Sequence, residues 1–228
     1  MLEDKSHFVN SYSLIAWLEV RLRKPLPGPM MGTKYAPRPS LGRDYSVIPS
    51  DARPAAVLVL LYWHQSQWWL PLTLRKRHLP DHGGQVSLPG GAIEAGETSS
   101  EAAVREFQEE LGVDDFQPRI LGHLSTIYIE RSRFRVDPWV AVAEKRPEMC
   151  AQSCEVEELL EVPLTHLLDP TNFGSHRREY RGQPYDAPHF AFGRHRIWGA
   201  TCLILGEFVT LVEEFLKEKN GQSFEEIR

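Results

Sequence analysis

Near the start of the chain, apolar residues recur at three- and four-residue steps: Phe8, Tyr12, Ile15, Leu18 and Leu22. That spacing predicts an amphipathic helix over residues 7–24, its apolar stripe packed on the main body. The basic end, Arg21, Arg23 and Lys24, suits a helix C-terminus. Residues 25–54 then hold seven of the 17 prolines, which excludes a continuous helix or central strand there. The stretch reads as a long connection laid over the surface, or as an interface arm.

Beyond it the pattern changes. A mostly apolar run over 55–63 predicts a buried strand, and 67–74 a second, joined by the tight connection His64-Gln65-Ser66. A short strand over 85–88 ends in Pro89-Gly90-Gly91. A helix is expected near 99–111, then strands near 120–129 and 135–143. Residues 156–162 are apolar with acidic interruptions and lead into a short helix near 164–168. A hairpin over 178–192 turns around Gly182, and 197–217 reads as a long helix. There is no internal repeat. Mixed strands with two or three helices give an α/β (α+β) sandwich with a mixed sheet and an N-terminal helical extension. Residues 1–52 form the helix and arm, and 53–228 the main domain.

Composition narrows the function. With 42% hydrophobic and 25% charged residues, the chain is an ordinary globular protein. Its net charge of −5 argues against a nucleic-acid partner. No apolar run approaches the ~18–20 residues that span a bilayer, so no membrane partner is expected. The acidic N-terminus is unlike a signal peptide, and the expected location is cytoplasmic. Three cysteines do not make a disulfide framework, and Cys150 with Cys154 lacks the second pair that a zinc site needs.

The chemistry concentrates in residues 91–113. Thr98 followed by Glu101 is a capping box, which starts the helix at about Ser99, and Gly112 stops it. Ala103, Phe107 and Leu111 form one apolar stripe. Glu106, Glu109 and Glu110 share a different face, where like charges cost roughly 0.2–0.5 kcal/mol per pair. No lysine offsets them. The face makes sense if it holds a hard divalent cation, Mg2+ or Mn2+. Arg105, the lone cation of the helix, reaches back to Glu97. A solvated acidic face is the alternative. Pro89-Gly90-Gly91 weighs against it, because these residues let backbone approach a ligand and offer carbonyls to a metal shell.

Gly91, Glu97, Arg105, Glu106, Glu109, Glu110 and Gly112 fill every fixed position of the Nudix box, G-x5-E-x7-R-E-U-x-E-E-x-G-U, with Val113 and a larger than usual Phe107 at the aliphatic positions. By chance this is an event of order one in a million. The chain therefore resembles the Nudix hydrolases, which cleave a nucleoside diphosphate linked to another group. The resemblance implies a Nudix-type α/β/α sandwich. It also implies metal ligands Glu106, Glu109, Glu110 and Gly91, with a glutamate of that face orienting or deprotonating water. Arg105 and Glu97 complete the catalytic set, Glu97 mainly holding Arg105.

The flanks resemble one branch, the coenzyme A pyrophosphatases. Leu72, Thr73, Arg75, Gly84, Pro89, Gly90 and Gly91 match its upstream pattern, while Lys76, Pro80 and Leu88 depart from it. Residues 155–164 and 197–201 resemble its later stretches. The implied reaction is hydrolysis of coenzyme A or a derivative to 3′,5′-ADP and 4′-phosphopantetheine, by water and without a covalent intermediate. Arg75, Arg77 and Gly90 are the substrate-binding candidates; Arg75 alternatively reads as a surface arginine on a strand edge. An ADP-ribose or nucleotide-sugar pyrophosphatase is the alternative, as is a ligand-binding module without turnover, although the complete glutamate set favours an enzyme. Arg177, Arg178 and Arg181 read as a solvated hairpin, with a contact to the 3′-phosphate of coenzyme A as the second choice. Glu155 and Glu157 are candidates for a further ligand or base; His82 either approaches the site or is a structural turn histidine. Trp68, Trp69 and Trp139 read as packing. The arm is either a homodimer contact or a cover on the domain.

Overall fold

A computed structural model describes residues 12–28, 33–79, 82–151 and 154–225, the side chains of the last helix to residue 219. The first helix, α1 (Tyr12–Arg21), lies within the expected 7–24; Phe8 and Pro80 fall outside the described residues. The main sheet is built from β1 (Arg53–His64), β2 (Gln67–Arg75), β3 (Val86–Ser87), β4 (Gly90–Ala92), β5 (Arg119–His123), β6 (Ile127–Ile129), β7 (Phe134–Ala143) and β8 (Val156–Pro163). Its path runs β3-β2-β1-β7-β5, with β4 also on β1, β6 on β7 and β8 on β2. Only the β1–β7 pair is parallel, so the sheet is mixed. A smaller sheet joins β9 (Phe173–Tyr180), β10 (Gln183–Phe192) and β11 (His195–Trp198). The helices are α2 (Ser99–Leu111), α3 (Leu164–Leu168) and α4 (Ala200–Glu225).

Strand β1 reads as a continuous apolar run because it is buried on both faces. Ala56, Leu58, Leu60 and Tyr62 point one way and pack with Ala103, Phe107 and Leu111 of α2. Ala55, Val59 and Leu61 point the other way into a larger core with α1 and α4, which brings Leu14, Leu18, Phe208 and Val212. The result is the expected sandwich, helix on sheet on helices. Among the described residues no helix is long and apolar enough to cross a membrane.

Three expectations need correction. The single strand over 120–129 is two, β5 and β6. Pro138 of β7 has no N–H to continue the ladder, and the Ser125 N–H and Oγ turn instead to the Glu207 carboxylate of α4. Ile197 and Trp198 do not open the last helix. They close β11, Ile197 opposite Phe190, and the left-handed Gly199 (φ 70°) separates them from α4. The hairpin starts earlier than 178, at Phe173, and its Arg181-Gly182 turn takes positive φ at both residues, matching strand twist. Strand β4 was not expected at all.

The proline-rich arm is held at several points along its first half. Glu207 accepts the Gly28 N–H at 3.0 Å, and Tyr35 and Ala36 are buried in the larger core. Arg38 and Asp186 then exchange backbone hydrogen bonds beyond the end of β11.

Candidate active site

The site is built on α2. Thr98 caps it, its Oγ accepting the Glu101 N–H at 3.3 Å while Glu101 accepts the Thr98 N–H at 2.7 Å. Gly112 ends it in the left-handed conformation (φ 59°). Burying the Phe107 stripe against β1 turns the glutamate face toward β4. There the backbone comes very close: a Cβ at Gly91 would sit 2.4 Å from the Glu106 carboxyl carbon, and one at Gly90 would sit 2.3 Å from the Ala56 carbonyl. At Gly90 the obstacle is backbone, so only glycine fits there; at Gly91 it is the end of the Glu106 side chain, which a larger residue would push aside.

Arg105 ties the loop before α2 to the glutamates. Its Nη2 donates to Glu97 at 2.8 Å and to the Ala92 carbonyl at 3.0 Å, and its Nε donates to Glu97 at 3.1 Å. Its Nη1 donates to Glu106 at 2.9 Å and Glu109 at 3.2 Å. These bonds hold the Glu97 carboxyl below its ordinary range, with the Glu94 N–H adding to the effect. The expected Glu97–Arg105 pair is thus present as an ion pair.

Glu110 is only 4% exposed. Burial pushes its carboxyl up to about 8, opposed by Arg75 at 3.5 Å and reinforced by Glu106 and Glu155. Burial likewise raises Glu106, against the pull of Arg105. Arg75 also donates to Glu155 at 2.9 Å. Glu109 is the outermost of the three glutamates, its side chain 60% exposed.

Arg75, Gly90, Gly91, Glu106 and Glu155 line one end of a cavity of about 1060 Å3. Arg77 stands apart, exposed on the turn after β2. Leu88, where the sequence departs from the branch pattern, is a core residue 3% exposed, so that departure is a matter of packing. Trp68 is fully buried, and the Trp139 indole donates to Ser99. The opposite wall of the cavity comes from the arm, through residues such as Arg43 and Tyr45, and from the second sheet, through Tyr180 and Tyr185. Of this wall, the sequence singles out only Arg178 and Arg181; nothing in it points to Arg43 or Tyr45.

Among the described residues, no three His, Cys, Asp or Glu side chains converge as a ready cage for a metal. Arg105 draws Glu106 and Glu109, and Arg75 draws Glu110. The donor set nevertheless fits a hard divalent cation. It offers only oxygens, it crowds carboxylates whose charge is disfavoured by burial, and glycine leaves room beside Glu106.

The family profile for the NUDIX domain matches residues 52–181. Nudix hydrolase 3 of Caenorhabditis elegans is 31% identical over 180 residues, covering 72% of this chain and 75% of that protein. The mitochondrial coenzyme A diphosphatase NUDT8 of Mus musculus is 34% identical over 176 residues, covering 73% and 81%. A crystal structure of a MutT/nudix family protein from Enterococcus faecalis aligns with a TM-score of 0.46 at 18% identity, over 90% of this chain and 71% of that one.

Proposed function

Since this chain belongs to the Nudix family and is a pyrophosphohydrolase, we propose that it hydrolyses the diphosphate of coenzyme A or its derivatives with a divalent cation, Mg2+ or Mn2+. The products are 3′,5′-ADP and a 4′-phosphopantetheine. One observation carries the reading: a glutamate face, buried at Glu110 and open at Glu109, meets the close-lying Gly90-Gly91 backbone beside a large cavity, with Arg75 next to it. The coenzyme A diphosphatase relatives support the choice of substrate.

In this reading Glu106, Glu109 and Glu110 hold the cation, with a Gly91 carbonyl contributing. A bound cation supplies charge neutralisation at the phosphoryl oxygens and a lowered pKa for water. The rest is positioning. Arg105 and Glu97 fix the loop against α2 and aim Glu106 and Glu109. Arg75 carries a forked guanidinium at the cavity wall, suited to diphosphate oxygens, and its charge offsets Glu110. A carboxylate of the same face, Glu106 or Glu109, orients the attacking water or takes its proton. No side-chain nucleophile is required. Ser87 lies within hydrogen-bond distance of Thr73, and burial pushes the Cys202 thiol far up.

A substrate panel tests the assignment: coenzyme A, acyl-coenzyme A, ADP-ribose and a nucleotide sugar, each with Mg2+ and with Mn2+. The highest kcat/KM is expected for the coenzyme A group. A higher value for ADP-ribose or the sugar nucleotide would transfer the assignment to those substrates.

A further inference from the structure

The cavity lining contains polar groups that the diphosphate chemistry does not use. Among the side chains lining it, Arg43, His82 and Ser132 each hold a buried polar atom without a hydrogen-bond partner: Nη2, Nε2 and Oγ respectively. Ser132 is 5% exposed. A buried donor without a partner costs free energy, so such groups in a cavity wall are explained by a ligand that satisfies them.

Arg43 is the best organised of the three. Its guanidinium carbon lies 4.3 Å from the Tyr185 ring centre and 4.9 Å from that of Tyr180, and its Nε donates to the Ser40 carbonyl at 3.1 Å. The fork is therefore held in place before any ligand arrives. Tyr185 stands directly opposite Arg178 in the β9–β10 register, and the Arg178 guanidinium carbon sits over the Trp198 ring, 4.1 Å from its centre. Facing residues of such a pair have Cβ atoms only about 5 Å apart. The other arginines of the hairpin are spent: Arg177 pairs with Asp186, and Arg181 with Glu130. Among the described residues, neither Arg43 nor Arg178 has a carboxylate within ion-pair distance. Asp44, next in sequence, is occupied by the Ser46 N–H and hydroxyl.

We infer that Arg43 and Arg178 form an anion subsite on the wall made by the arm and the second sheet, and that it binds the phosphate monoester at the nucleoside end of the substrate. The inference rests on the coenzyme A reading, in which the substrate carries one such phosphate besides its diphosphate. Two planar, pre-stacked guanidinium groups suit a phosphate, because their donors match its oxygens and little ordering entropy remains to be lost. The Ser132 hydroxyl supplies a further donor in the same cavity. The solvated-hairpin reading thus survives for Arg177 and Arg181 and is replaced at Arg178.

The test compares coenzyme A with dephospho-coenzyme A, which lacks the monoester. The wild-type protein should show a KM lower by roughly 10- to 100-fold for coenzyme A, the range expected of one or two charge-assisted hydrogen bonds. Arg43→Gln and Arg178→Gln should raise KM for coenzyme A much more than for dephospho-coenzyme A, bringing the ratio toward one, with kcat affected less than KM. Equal KM values for the two substrates in the wild type would overturn the subsite and leave the coenzyme A reading standing. Calorimetric binding of 3′,5′-ADP against 5′-AMP separates the opposite failure. If coenzyme A is not cleaved but 3′,5′-ADP still binds at least tenfold more tightly than 5′-AMP, the subsite stands and the substrate assignment falls. Equal binding of the two nucleotides counts against the subsite. The wild-type comparisons decide the matter even if a variant fails to fold.

Discussion

The three atoms that a methyl group added at Gly91 would meet first all belong to the Glu106 carboxylate. The end of a glutamate side chain can swing aside, so the fold should tolerate Gly91→Ala while the glutamate face is spoiled. We expect kcat to fall about 100-fold, the scale of a 1 Å misplacement at a reacting centre, with the thermal midpoint near that of the wild type. Wild-type kcat in that variant would show that Glu106 needs no fixed place beside Gly91. At this scale the sequence was readable where spacing alone decides. Glu106, Glu109 and Glu110 share a helix face by arithmetic, and Arg105 reaches Glu97 across a short loop. The partners of Arg75 were not readable. Glu155 meets it through the β2–β8 register and Glu110 through the packing of α2 on the sheet, neither of which a local pattern states. Arg77, two residues on, has the right chemistry but lies on an exposed turn.

Helix α2 shows how much local sequence can determine. Its capping box and its terminal glycine fall where the pattern put them, because both are contacts between residues three to five apart. Thr98→Ala removes the oxygen that accepts the Glu101 N–H and should cost about 1 kcal/mol, read as a lower urea midpoint at unchanged slope. An unchanged midpoint would mean that the cap is redundant with the Arg105–Glu97 tie. Strands β4, β5, β6 and β11 illustrate the contrary case. Gly90 and Gly91 leave β4 without an apolar pattern, Gly122 and Pro138 mark the break that splits β5 from β6, and β11 runs on into a helical pattern, so pairing with distant partners decides all four.

The hairpin carries a pH-dependent pair. His176 Nδ1 and His189 Nδ1 lie 3.2 Å apart across β9 and β10. Burial lowers both below the ordinary value of about 6.5; for His176 the neighbouring His189, Arg196 and Arg178 add to this, and for His189 Arg196 does. The folded state therefore binds fewer protons than the unfolded one at mildly acid pH. Stability is full above about 6.5 and falls as pH drops through that value. Thermal midpoints measured from pH 7.5 down to 5 should decline more steeply in the wild type than in His176→Gln. Parallel curves would contradict the assignment.

At the scale of the molecule, the proline-rich arm adds a wall to a sandwich with a glutamate face and makes an open cavity of it. Composition excluded helix and central strand from the arm but said nothing about where it lies, because its anchors are single residues. Tyr35 is the principal one. It packs edge-on to Phe173 at 5.1 Å and stacks near Phe190 at 5.8 Å, and a Cβ on Gly206 of α4 would sit 2.4 Å from its ring. Gly206→Ala should cost about 1–3 kcal/mol by overpacking and should loosen the arm, so that KM rises more than kcat falls. A wild-type thermal midpoint in that variant would mean the arm is not seated on α4 as described.

The most direct test of the whole account is product analysis in 18O-labelled water, with coenzyme A and Mg2+ or Mn2+. Equal amounts of 3′,5′-ADP and 4′-phosphopantetheine should appear, one of them carrying a single 18O. Chelation should abolish the reaction, and Glu109→Gln should slow it by at least about 100-fold. Intact coenzyme A with either metal, or Glu109→Gln turning over at the wild-type rate, would contradict it.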